Sequence, residues 1–117
     1  MRTTTLGARG PRVGAIGLGC MGMTHAYDLD APRDDDQSIA VIHQALDAGM
    51  NLIDTADVYG PHTNEELVGR ALVGRRDRAV LATKVGLVWD DPEAADSADT
   101  AAGVGRDGSP EYIVRTR

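Results

Sequence analysis

At 117 residues, with a net charge of -6 and a pI near 4.8, the chain has room for one domain. That balance argues against a nucleic-acid or other polyanionic partner, whose binding would need a basic face. One cysteine, Cys20, excludes an intrachain disulfide and fits a reducing compartment; no apolar run nears the about 20 residues of a membrane span, and the start, Met1-Arg2-Thr3-Thr4-Thr5-Leu6, lacks the apolar stretch of a secretory signal, so the chain reads as cytoplasmic.

Thr3-Thr4-Thr5-Leu6 is β-prone, Gly7-Ala8-Arg9-Gly10-Pro11 is turn material and Arg12-Val13 restarts, which predicts two short strands around a turn. Ala15-Ile16-Gly17-Leu18-Gly19 is short and apolar, the pattern of a buried strand. A polar loop rich in aspartate follows. Residues 36–48 are expected to be helical: Ile39, Ile42 and Leu46 share one face, Val41 and Ala45 widen it, the aspartates before it suit the N-terminal dipole, and Gly49 is the expected stop. Asn51-Leu52-Ile53-Asp54 is a strand ending in an acid. Thr63 and Glu66 have the spacing of a capping box, ahead of a short helix with Leu67, Val68, Ala71 and Leu72 on its apolar side and Gly74 closing it. Ala79-Val80-Leu81-Ala82-Thr83-Lys84 is a further apolar strand ending in a charge. Residues 86–108, rich in Gly, Asp and Ala, read as a long mobile loop. Ser109-Pro110-Glu111 opens a last helix with Ile113 and Val114.

Strands alternating with helices imply a parallel sheet with right-handed crossovers. The strand ends at Gly19, Asp54 and Lys84 are 35 and 30 residues apart. Eight such units require about 250 residues, the size of a TIM (β/α)8 barrel. The expected fold class is therefore α/β: about three βα units plus an N-terminal hairpin, the N-terminal part of such a barrel. Residues 1–117 then form one incomplete barrel domain, and the chain stops about two turns into its last predicted helix.

Gly17-Leu18-Gly19-Cys20-Met21-Gly22 matches G-x-G-x-x-G, the dinucleotide fingerprint. The context does not fit, because that motif opens directly into a helix with an acid about 20 residues on, and here a proline-containing loop intervenes. The glycines are better suited to letting a loop pass close to a ligand. Lys84 is the single lysine among 12 basic residues. A lysine can shift its pKa when buried and arginine cannot readily do so, which marks Lys84 for chemistry; a chance surface cation is the plain alternative. Asp54 and Lys84 end adjacent predicted strands, and Tyr59 follows Asp54 by a few residues. In a parallel barrel such positions converge on the catalytic face. An acid keeps a neighbouring lysine charged, and that cation favours the ionised form of a phenol, whose ordinary pKa is about 10. A tyrosine so placed can act as a general acid. Taken singly, Asp54 as a cap, Tyr59 as a packed aromatic and Lys84 as a surface charge would each suffice.

Gly19-Cys20-Met21-Gly22-Met23, Asp54-Thr55-Ala56-Asp57-Val58-Tyr59-Gly60, Asn64-Glu65-Glu66-Leu67-Val68-Gly69-Arg70-Ala71-Leu72 and Ala82-Thr83-Lys84 together resemble the aldo-keto reductase superfamily, most closely the group with a GLGCMGM start. The resemblance runs from about residue 3 to the C-terminus and is weakest in the long loop. It implies a TIM barrel that binds NADPH without a Rossmann fold and passes hydride to an aldehyde or ketone, a small-molecule carbonyl substrate. It further implies that Tyr59 donates the proton, Lys84 tunes it and Asp54 pairs with Lys84. Gly19, Cys20 and Met21 would lie beside the nicotinamide, with Asp54 also near its ribose. Met21, Val58 and Trp89 would line the substrate side, and no metal is implied.

The family also uses a histidine at the end of the fourth barrel strand. That strand would begin after residue 117, and His25, His43 and His62 do not occupy such a position. The family's phosphate and adenine sites fall in the last barrel units. The chain is therefore expected to be a truncated reductase, inactive or nearly so by itself. The alternative is a non-enzymatic interaction or self-assembling protein built from the same barrel, pairing its exposed strands with a partner or another copy.

Overall fold

A computed structural model of the chain describes residues 1–24, 32–60, 62–89 and 104–116. Two compact units divide it, Met1–Thr83 and Lys84–Arg117.

In the first unit, β1 (Thr3–Thr5) and β2 (Arg12–Gly14) form the expected antiparallel hairpin, with Thr4 opposite Val13. Gly7 turns the chain at φ +67°. Asn51 ties this hairpin to the sheet: its carbonyl accepts from Gly14 N–H at 2.8 Å, and its amide donates to the Arg12 carbonyl at 3.1 Å. A Cβ at Gly14 would collide with the carbonyl of Gly49, so the hairpin can lie this close only with glycine there.

Three parallel strands follow in the order β3 (Leu18–Gly19), β4 (Leu52–Asp54) and β5 (Val80–Ala82). Leu18 pairs with Ile53, Gly19 with Asp54, and Asp54 with Ala82. Helices α1 (Asp35–Asp47) and α2 (Thr63–Ala71) make the two crossovers. The core lies between helices and sheet and contains Cys20, Ile42, Leu46, Ile53, Val68, Ala71, Leu72 and Ala79. This is the parallel α/β pattern that the alternation of elements predicts, the first part of a (β/α)8 barrel.

The strand expected over residues 15–19 shrinks to Leu18–Gly19. Its partner β4 starts only at Leu52, and the Ala15 N–H is already used by the Arg2 carbonyl at 2.9 Å. Ile16, expected to be buried, is 62% exposed.

Helix α1 is capped by Asp34, whose side chain accepts from Gln37 N–H at 2.8 Å, with Asp35 and Asp36 in the first turn. Gly49, one residue past the C-cap Ala48, has φ +87°, as the stop signal requires. Ile42, Ala45 and Leu46 are buried, whereas Val41 is 39% exposed and does not widen the packed face. His43 Nε2 lies 2.8 Å from the Ala71 carbonyl. A carbonyl only accepts, so the proton sits on Nε2, and the ring joins α1 to α2. At the helix surfaces Arg70 pairs with Asp35, and Arg78 with Asp47 at 2.7 Å.

The capping box does not form. Thr63 is the first residue of α2 rather than its cap, and its hydroxyl donates back to the Gly60 carbonyl at 2.6 Å. The N-cap is His62, at φ +66°. The preceding turn supplies the acceptors that the helix start needs: Asp57 and Tyr59 carbonyls take the His62 and Asn64 N–H groups at 2.7 and 3.2 Å.

In the second unit, β6 (Leu87–Trp89) and β7 (Val104–Arg106) pair antiparallel, Leu87 opposite Arg106. The expected long loop over residues 86–108 is thus replaced at both ends by strand. Leu87-Val88-Trp89 has the β-branched and aromatic bias of a strand. The middle of the expected loop, residues 90–103, lies outside the described residues. Helix α3 (Pro110–Arg115) starts as expected, with Ser109 accepting from Tyr112 N–H at 3.2 Å and Pro110 in the first turn. Its buried residue is Tyr112; Ile113 and Val114 are exposed.

Candidate functional site

The C-terminal ends of β3 and β4 carry two loops of opposite character. After β3 the backbone is small and tight. Gly19 is exposed, and a Cβ there would meet nothing within 4 Å. Cys20 is buried and donates its N–H to the Asp54 carbonyl at 2.9 Å. Residues Met21–Met23 form one 3-10 turn, with Met21 half-buried and Thr24 buried.

After β4 the chain runs through Asp54, Thr55, Ala56, Asp57, Val58, Tyr59 and Gly60 into α2. Thr55 extends the ladder by one bond, donating to the Ala82 carbonyl at 2.9 Å. Val58 and Tyr59 are half-buried, on a turn closed by Tyr59 N–H on the Ala56 carbonyl at 3.2 Å. Gly60 is obligatory: it sits at φ +70°, and a Cβ would strike the Thr63 hydroxyl and lie 3.0 Å from Thr24 Cβ.

A buried polar knot joins the two loops. Asn64, 0% exposed, donates to the Cys20 carbonyl at 2.8 Å and to Thr24 Oγ1 at 2.8 Å. Its carbonyl accepts from the Thr55 hydroxyl at 2.6 Å. Both amide hydrogens are therefore used, and so is one acceptor position. Asp57 is 4% exposed, and its Oδ2 has no hydrogen-bond partner among the described residues. Neither residue is singled out by the sequence reading. A signal for Asn64 existed, however: the spacing 64, 67, 68, 71 puts it on the same stripe as three core residues, where a polar side chain must find buried partners.

The structure thus gathers Gly19, Cys20, Met21, Asp54, Val58 and Tyr59 in the first unit, around the ends of β3 and β4. Lys84 follows β5 by two residues and is exposed; it opens the second unit, to which Trp89 on β6 also belongs. His43 and His62 serve the helices, as above, and His25 lies outside the described residues. Among the described residues no group of His, Cys, Asp and Glu could hold a metal ion. None of the described helices is long and apolar enough to cross a membrane.

Parallel strands joined by helical crossovers are the α/β arrangement of which the (β/α)8 barrel is one form. The aldo/keto reductase family model matches residues 15–116, and the chain belongs to that family. It is similar to the holo form of an aldo-keto reductase from Bacillus halodurans, with 32% identity and a TM-score of 0.74, over 98% of this chain and 33% of that one. It is also similar to a glycerol dehydrogenase from Gluconobacter oxydans, with 36% identity and a TM-score of 0.70, over 97% and 32%. An aldo-keto reductase from Klebsiella pneumoniae in complex with NADPH matches with 39% identity and a TM-score of 0.58, over 73% and 28%. The chain spans about a third of the length of the first two.

Proposed function

We propose that these residues serve the NADPH-dependent reduction of an aldehyde or ketone to an alcohol, with Tyr59 as the general acid. The observation that carries the reading is the half-buried Tyr59, on a turn fixed by backbone hydrogen bonds and by Gly60, just past the end of a barrel strand. In this reading the Tyr59 phenol gives its proton to the carbonyl oxygen. Lys84 supplies the cation that assists proton release, and Asp54 supplies the balancing carboxylate. Gly19 and Met21 face the nicotinamide, with Cys20 buried between them rather than exposed to it, and Met21, Val58 and Trp89 face the substrate. The open space at Gly19 fits a flat ring laid against the backbone. When bound, NADPH supplies the hydride. The first two matched structures are about three times as long as this chain, and the complete reaction is placed in a barrel of that length. The 117-residue chain by itself is expected to be without turnover.

The test grafts residues 15–116 onto the Bacillus halodurans relative in place of its matching segment and follows NADPH oxidation with a panel of small aldehydes and ketones. The grafted barrel should reduce carbonyls, and Tyr59→Phe should lower kcat by roughly 10²–10⁴, the usual contribution of a positioned acid. A grafted barrel that keeps its rate with Tyr59→Phe would refute the assignment.

A further inference from the structure

We infer that Asn64 is a positioning residue, holding the loop after β3 and the loop after β4 in one frame. The inference rests on the reading above, in which the first loop faces the cofactor and the second carries Tyr59. Asn64 touches neither reacting group and acts through its neighbours.

Its three buried hydrogen bonds divide between the loops. Cys20 and Thr24 belong to the first, Thr55 to the second. The Asn64 backbone joins the same frame, since its N–H donates to the Tyr59 carbonyl at 3.2 Å. One residue at the start of α2 therefore fixes the carbonyl of Cys20, the hydroxyls of Thr24 and Thr55 and the backbone of Tyr59. Asn64 is fully buried, so water cannot replace a lost partner, and removing one leaves a buried polar group unmet. Displacing the acid by about 1 Å from the reacting carbonyl would cost on the order of a hundredfold in rate. A rigid tie between the two loops is thus a requirement of the proposed chemistry as well as of packing.

Residue-resolved amide hydrogen exchange on the full 117-residue chain tests this, with the change made in one loop and read in the other. Thr24→Val is isosteric and removes only the acceptor for Asn64. It should speed exchange at the His62 and Asn64 amides by roughly five- to a hundredfold, the range expected for one unmet buried partner. Thr55→Val should do the same at Met23, whose N–H donates to the Cys20 carbonyl at 3.0 Å. Thr24→Ser keeps the hydroxyl and should restore slow exchange. Ala48, bonded to the Gln44 carbonyl at the end of α1, should be unaffected throughout. Acceleration confined to the altered loop, or spread equally to Ala48, overturns the inference, as does fast exchange at Met23, His62 and Asn64 in the unaltered chain. The outcomes separate from those of the grafting test. Coupled exchange with Tyr59→Phe still active removes the acid assignment and leaves the frame; uncoupled exchange with an inactive Tyr59→Phe does the reverse.

Discussion

Gly60→Ala tests the turn that carries Tyr59. Two costs add. At φ +70° a Cβ costs roughly 1–2 kcal/mol through contact with the backbone. The same Cβ strikes the Thr63 hydroxyl, which must leave the Gly60 carbonyl it binds at 2.6 Å, for a net loss of about 0.5–1.5 kcal/mol. The sum is about 1.5–3.5 kcal/mol. With a urea m-value of about 2 kcal/mol per M, the middle of the usual range, the unfolding midpoint should fall by about 1–2 M. Thr63→Ala on the Gly60→Ala background removes the clash and leaves the backbone cost, so the second substitution should be far less harmful there than in the unaltered chain. Gly69→Ala is the internal control: Gly69 lies within α2, and a Cβ there meets nothing within 4 Å, so this change should stabilise by about 1 kcal/mol. A Gly60→Ala midpoint equal to that of the unaltered chain would refute the argument. So would a double variant whose loss equals the sum of the two single losses.

Ile53, 0% exposed in the central strand of the three, should lose about 2–5 kcal/mol on Ile53→Ala, read as a drop in the urea midpoint. Asp34→Ala removes the side-chain acceptor for Gln37 N–H and should cost about 1 kcal/mol in the same assay. The hydrogen bond from Arg78 holds the Asp47 carboxyl below its usual range. A depressed folded-state pKa gives stability that is present above the ordinary value of about 3.9 and is lost as pH falls through the folded value. The unaltered chain should therefore lose stability more steeply than Asp47→Asn as pH falls below about 4, by a small amount because the group is solvated; equal slopes in acid denaturation would rule the pairing out.

The alternation of apolar runs and helical periodicity made the parallel sheet legible, because each strand and helix buries a face whose period shows in the residue types. Gly49 and Ser109 were legible for the same local reason: one requires positive φ, and the other supplies a side-chain acceptor. Thr63 and Glu66 misled because a capping box is defined by spacing alone. Gly60 bends the chain so that the turn's own carbonyls meet the first helical N–H groups, and Thr63 moves inside the helix. The pair β6 and β7 was hidden because the Gly, Asp and Ala around them signal a loop more strongly than Leu87-Val88-Trp89 and Val104-Gly105-Arg106 signal strands.

At the site, Asp54 and Tyr59 could be picked out because strand ends in a parallel sheet share one side, a consequence of topology that strand order alone supplies. The tie between the two loops could not, because it depends on which carbonyls the loops turn inward. Asn64 looks like an ordinary polar residue in the first turn of a helix until its place beside Leu67, Val68 and Ala71 is taken into account. On that stripe an amide is destabilising unless its hydrogen-bonding groups are met, and the loops after β3 and β4 meet them. The cost of burying the amide is what makes the knot specific: an apolar residue of similar size could fill the space, but it would not select one arrangement of the two loops over another.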